Sequence, residues 1–165
     1  MIDAFLGLGG NLGDAKRFID DAVELVADVP GTKVIARSSY YRTEPVGPVD
    51  QPWFLNIAVE VLADLSHTAL SEQCKAIEAR LGRDRSKETP WGPRVVDVDL
   101  VAIRSGHSLE MQKPDLAVPD YLVVPLAEIA PHLLIRGRSL SDLVLASPAI
   151  GVEKLNWPVP PWELS

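Results

Sequence analysis

Cysteine is nearly absent: Cys74 is the single one in 165 residues. That excludes an internal disulfide and any site built from several thiolates, and it leaves Cys74 as a small core residue. No run approaches the roughly 18 apolar residues of a membrane span, and the first residues lack a basic-then-apolar targeting pattern. The expected compartment is therefore the cytoplasm. Histidine is scarce, and His67, His107 and His132 stand in unrelated places without metal-ligand spacing. Positive charge is short as well: 16 Lys and Arg face 23 Asp and Glu, a net charge of −7 that speaks against nucleic-acid binding. No internal repeat and no low-complexity segment is found. What is left is a chain that is 47% apolar, enough for a core without staples. It reads as a single domain over residues 1–165, expected to be a monomer that binds neither nucleic acid nor membrane.

The few cations are unevenly spread. Between Lys75 and Arg94 stand six of them (Lys75, Arg80, Arg83, Arg85, Lys87, Arg94) against three acids (Glu78, Asp84, Glu88). This basic stretch runs into Trp91-Gly92-Pro93-Arg94 and then Asp97-Val98-Asp99-Leu100. With residues 95–103 as a strand, Val96, Val98, Leu100 and Ala102 point one way while Asp97 and Asp99 share the other face. Residues two apart on a strand lie roughly 6.5–7 Å from each other, so two carboxylates can close on one or two hard cations. Magnesium is the natural candidate, and it usually comes with phosphate. The alternative is a strand face whose acids meet only water. Aspartate is depleted in strands, which favours the metal reading.

In chain order, residues 2–8 read as a buried strand followed by a turn, Gly9-Gly10-Asn11-Leu12-Gly13-Asp14. Asp14 caps a helix whose apolar positions are Phe18, Ile19, Ala22, Val23 and Val26, stopped by Pro30-Gly31. Residues 33–42 are β-rich. Residues 43–52 hold three prolines and a glycine, and such a loop is often functional. Residues 54–63 alternate, with Leu55, Ile57, Val59 and Val61 on one face and Phe54, Asn56, Ala58 and Glu60 on the other. Phe54 and Asn56 thus form either a ligand wall or a core aromatic with a neighbouring amide. Ser66 or Thr68 caps a second helix, through Leu70, Cys74, Ile77 and Leu81 to Gly82. Residues 83–90 read as a polar surface loop, and residues 104–108 as a turn. An irregular return passes Pro114 and Pro119, and a short helix starts at Pro125. Residues 140–146 form another helix, and the tail 157–162 is too proline-rich to be regular. The order β-α-β-β-α-β predicts an α+β, ferredoxin-like antiparallel sheet with helices on one face and extra C-terminal elements; the other face is left for ligands.

Several blocks in this order resemble the 6-hydroxymethyl-7,8-dihydropterin pyrophosphokinase family of folate synthesis. They are Gly7-Leu8-Gly9-Gly10-Asn11-Leu12-Gly13-Asp14, Tyr41-Arg42-Thr43-Glu44-Pro45-Val46-Gly47-Pro48, Gln51-Pro52-Trp53-Phe54-Leu55-Asn56, Ile77-Glu78 with Gly82-Arg83, the Trp91 to Leu100 block, and Pro125-Leu126-Ala127-Glu128-Ile129-Ala130-Pro131. The resemblance implies transfer of pyrophosphate from ATP to the pterin hydroxymethyl oxygen, releasing AMP. It implies two magnesium ions on Asp97 and Asp99, with Arg83 and Arg94 stabilising the transferring group. Lys75, Glu78, Arg85, Trp91 and Leu100 take the places of ATP contacts. Thr43, Pro45, Val46, Phe54, Asn56 and Tyr121 take those of the pterin pocket, the two aromatics as a sandwich. Residues 43–52 and 83–90 are implied to close as lids. The chain departs from the family after Pro119, where Asp120 and Tyr121 follow directly in place of a histidine and an arginine-bearing loop. The rival reading is a relative that binds pterin and nucleotide but transfers weakly.

Overall fold

The first strand does not stop at Leu8. In the computed structural model of the chain, which describes residues 1–114 and 117–159, β1 runs Ile2–Gly10 and absorbs two glycines expected in the turn. Helix α1 (Ala15–Asp28) starts where Asp14 accepts the Arg17 N–H, and it buries Ile19, Ala22, Val23 and Val26. Burying one such valine or isoleucine contributes about 1.5–3 kcal/mol.

The β-rich segment expected at 33–42 is two strands, β2 (Thr32–Arg37) and β3 (Tyr41–Thr43). The break follows from Ser38, whose hydroxyl accepts the Ala58 N–H at 2.9 Å in place of a ladder carbonyl. Strand β4 (Phe54–Ala63) has the expected bounds. So does α2 (His67–Arg80), with Ser66 as its cap. A short 3-10 turn at Arg85–Lys87 interrupts the polar loop. It is followed by β5 (Asp97–Ser105), β6 (Ser108–Met111), α3 (Asp120–Ile129), β7 (Leu134–Ile135), β8 (Arg138–Ser139), α4 (Leu140–Ala146) and β9 (Val152–Lys154). Helix α3 thus begins five residues before Pro125, which sits inside it rather than in its first turn. Its ring removes only the bond that the Tyr121 carbonyl would accept. Of the proline-rich tail, Trp157 leans on Tyr40 with centroids 5.5 Å apart, while Pro160, Pro161 and Trp162 lie outside the described residues.

The strands form one sheet in the order β8-β7-β6-β5-β1-β4-β3-β9, with β2 paired to the other end of β4. All described pairings are antiparallel except β6 with β7. Leu6, Leu8, Ile57, Val59, Val61, Val96 and Val98 pack with Ile19, Val23, Leu70, Cys74 and Ile77 of α1 and α2. On the opposite face Phe5, Ala58 and Ala102 meet Val123 and Leu126 of α3 and Leu140 of α4. Helices therefore cover both faces, not one, and α3 leaves only one end of the second face open. Ala102 joins that second face because the register slips there: Phe5 pairs with Ala102 and Leu6 with Leu100, which gives β5 an extra residue, Val101. The result is an α+β fold with a mostly antiparallel sheet and four helices among the described residues.

Candidate active site

At the open end of the second face, one row crosses three strands: Asp97 on β5, Gly9 on β1, Asn56 on β4. Gly9 leaves room for the amide as it stands, since a Cβ there would stand 2.1 Å from Asn56 Oδ1 and force that side chain to turn. The floor between the acid and the amide is bare main chain. Asn56 Nδ2 donates to Thr43 Oγ1 at 2.7 Å, and buried Thr43 thereby fixes the amide beside the floor. Asp99 lies one step further along the face, opposite Gly7.

The acids are embedded in guanidinium. Asp97 accepts from Arg83 through Oδ1 and from Arg94 at 3.0 Å through Oδ2. Burial raises the Asp97 carboxyl above its ordinary range against the pull of Arg94 and Arg83. Asp99 reaches solvent along the open side, and it makes no hydrogen bond or ion pair among the described residues. Crowding by protein, then Asp97 and Glu78, push its carboxyl to about 6. Arg83 was expected on a surface loop, yet its side chain is 4% exposed. Its Nε and Nη2 donate to Glu88 at 2.8 and 2.9 Å, and its Nη1 donates to Glu78 at 2.6 Å as well as to Asp97. Burial alone would lower the guanidinium pKa, but Glu88, Asp97 and Glu78 outweigh it and raise it. Glu78, buried on α2, also accepts from Arg85 at 2.8 Å and from the Val98 N–H at 2.8 Å. It is thus a bracket joining α2, the polar loop and β5.

The cleft above the floor, about 110 Å³, is lined by Thr43, Glu44, Val46, Phe54, Asn56, Trp91, Arg94, Asp97 and Tyr121. All but Glu44 were singled out from the sequence. Arg94 lies over the Phe54 ring, 5.6 Å from its centroid. The Tyr121 phenol is raised by burial and by Asp97 and Asp99, which keeps it neutral beside the acids. The other expected residues are not on this lining. Pro45 is half-buried next to it, and Lys75 is exposed on α2. Leu100 packs against the α1–α2 core, on the face opposite the acids. A larger cavity, about 350 Å³, lies elsewhere, between α3, α4 and the β7–β8 turn.

Three contributors carried no expected role. Asn11 donates to Gln51 Oε1 at 3.0 Å and to the Pro52 carbonyl at 2.8 Å, while its Oδ1 accepts the Arg94 N–H at 3.0 Å. It ties both long loops to the end of β1. Gln51 in turn donates to the Trp91 carbonyl at 2.6 Å, so the two loops touch above the cleft. Glu88 is the third, as the partner of Arg83. The sequence signal for Asn11 and Gln51 was their place inside the shared blocks, and Glu88, between two blocks, had none.

Paired carboxylates, guanidiniums and an aromatic wall around one cleft define a phosphate-handling group-transfer site on an α+β sheet. Comparison with known proteins narrows the class. The sequence model of the 7,8-dihydro-6-hydroxymethylpterin-pyrophosphokinase (HPPK) family matches residues 5–131. The 2-amino-4-hydroxy-6-hydroxymethyldihydropteridine pyrophosphokinase of Methylorubrum extorquens is 41% identical over 160 residues, 94% of this chain and 100% of that protein. The Pseudomonas aeruginosa protein of the same name is 35% identical over 159 residues, 92% of this chain and 95% of its own. Among solved structures, Plasmodium falciparum HPPK-DHPS shares the fold with a TM-score of 0.59 at 14% identity, covering 87% of this chain and 43% of that one. The chain belongs to the HPPK family.

Proposed function

We propose that this cleft transfers pyrophosphate from ATP to the hydroxymethyl group of 6-hydroxymethyl-7,8-dihydropterin, releasing AMP, as a step of folate biosynthesis. The observation that carries the reading is the row Asp97–Gly9–Asn56, which sets an acid pair and an amide on either side of a flat floor. The pterin ring lies on that floor between Phe54 and Tyr121, its polar edge read by Asn56 and by the backbone of Thr43, Pro45 and Val46. Its hydroxymethyl oxygen then points toward Asp97 and Asp99.

Those carboxylates suit a divalent cation. They are hard oxygen donors on one face, and crowding by protein together with Asp97 and Glu78 raises the Asp99 carboxyl, a cost a cation there would relieve. Among the described residues no group of three or more His, Cys, Asp or Glu could hold a metal alone. Magnesium needs none, because one or two carboxylates with substrate phosphates and water complete its shell. Asp97 and Asp99 would hold two magnesium ions, which when bound neutralise phosphate charge and acidify the attacking hydroxyl. Arg94, facing the cleft, exchanges Asp97 for the phosphate oxygens and stabilises the charge that builds up in transfer. Arg83 acts from behind as the fixed counter-charge of Asp97, and Arg85, Lys75 and Trp91 flank the triphosphate and nucleoside. Glu78 and Leu100 act through the structure around the nucleotide. Closure of the two loops over Trp91 excludes water, the competing acceptor.

We read the inner strands β5-β1-β4-β2 as a ferredoxin-like core, in one domain over residues 1–165. The protein is taken as a cytoplasmic monomer acting on small molecules, without nucleic acid or membrane. Separating AMP from ADP after incubation with ATP and magnesium, with and without the pterin, tests the reaction. AMP that requires both the pterin and magnesium is expected, and ADP as product would overturn the assignment.

A further inference from the structure

The region matched by the family ends at residue 131, yet the chain continues through β7, β8, α4 and β9. Strand β9 returns to the cleft. Strand β3, whose last residue is Thr43, has three residues, and β9 pairs with each of them: Tyr41 with Lys154, Arg42 with Glu153, Thr43 with Val152. Two further backbone bonds extend this grip, Leu155 N–H to the Tyr40 carbonyl and Glu44 N–H to the Gly151 carbonyl, both 2.8 Å. Gly151 has φ 77°, and a Cβ there would stand 2.7 Å from Glu44 Oε2 and 2.9 Å from Glu44 Cβ. Glu44 lines the cleft and rests on bare backbone of the C-terminal segment.

Glu128 of α3 closes the junction. Its carboxylate accepts from the Ser39 N–H, from Tyr41 Oη at 3.1 Å and from Lys154 Nζ at 3.1 Å. Burial would raise this carboxyl, but the bonds from Ser39, Lys154 and Tyr41 prevail and keep it ionised. Burial and Glu128 raise the Tyr41 phenol, so it stays a donor. Tyr121, seven residues earlier on α3, falls on the same side of the helix as Glu128.

We propose that Glu128 and the β9 segment form a positioning device for the pterin subsite, holding Thr43, Glu44 and Val46 at a set distance from Tyr121. The device rests on the pterin reading of the cleft. Glu128, Lys154 and Gly151 are positioning residues and touch no substrate.

The test compares Glu128→Ala, Glu128→Gln, Lys154→Ala and Gly151→Ala with the wild type, measuring kcat and the KM of each substrate on samples shown to be folded by circular dichroism. Glu128→Ala should raise the pterin KM about tenfold and leave the ATP KM within about twofold. Glu128→Gln keeps one acceptor oxygen, enough for the Ser39 N–H, and its NH2 can donate to Tyr41 Oη in place of accepting from it, so it should recover part of the loss. Gly151→Ala and Lys154→Ala should move the pterin KM in the same direction, and they carry the test if Glu128→Ala does not fold. Folded variants with an unchanged pterin KM, or with both KM values raised alike, would overturn the positioning role alone. A wild-type chain that makes no AMP from the pterin would overturn it together with the functional reading.

Discussion

Asp97 and Asp99 look alike in the sequence but differ in what a substitution releases. Asp97→Ala frees Arg94 and leaves Arg83 to Glu78 and Glu88, whereas Asp99 forms no ion pair among the described residues. Both losses should cut kcat/KM at least about a hundredfold, as removal of groups around a metal does. The melting temperatures should part. Asp99→Asn relieves a carboxylate whose pKa lies near 6 in the fold, above its ordinary value, so at pH 7 its charged form costs stability. That variant should be inactive yet melt higher than the wild type, a stability-activity trade-off that a thermal scan at pH 7.5 would check. Gly9→Ala strikes the amide instead: with 2.1 Å to Asn56 Oδ1, the side chain must turn. The expected outcome is a pterin KM raised at least about tenfold with far less effect on the ATP KM.

Among the elements, α2 separates stability from catalysis. Ser66 caps its first turn by accepting the Ala69 N–H at 3.1 Å, while Glu78 sits in the last turn. Ser66→Ala should cost about 1 kcal/mol, or about 2–4 °C of melting temperature, with both KM values unchanged. Scanning calorimetry beside steady-state kinetics would show it. The same helix explains what could be read in advance. Caps and a 3.6-residue period span 14 residues in α1 and in α2, and strict alternation spans β4, so these elements are legible. Strands β7, β8 and β9 have two or three residues and carry no period, and β3 is defined by its partners. The cleft was legible where chemistry is unusual for its surroundings, as with two aspartates in a valine-rich strand. The burial of Arg83 was not, because a polar loop has no periodicity and the three carboxylates around Arg83 come from α2, the loop itself and β5.

For the molecule as a whole, a second acid pair at the far end of the sheet adds to the response to pH. Burial and a hydrogen bond with Asp3 raise the Glu60 carboxyl to about 7, with Asp3 itself facing Arg104 at 3.7 Å. A carboxyl raised in the fold binds protons there that the unfolded chain releases. Its contribution is therefore fully present below the unfolded pKa of about 4.3 and is lost as pH climbs through about 7. Glu60→Gln keeps a donor toward Asp3 at every pH. It should match the wild type at pH 4 and melt higher by about 2–4 °C at pH 8, the shift that about 1 kcal/mol produces in a chain of this size. Urea midpoints at the two pH values would decide it.

The bare strip at Gly9 also bears on inhibition. A flat inhibitor spread over it would contact peptide groups already committed to the ladders with β4 and β5. Point mutation cannot remove those groups. It can only add a side chain, and at Gly9 that addition would displace the Asn56 amide, which is proposed to read the substrate. Escape from such a compound would have to arise at the walls, at Phe54, Val46 or Tyr121, so an inhibitor that draws its affinity from the floor leaves resistance the narrowest path.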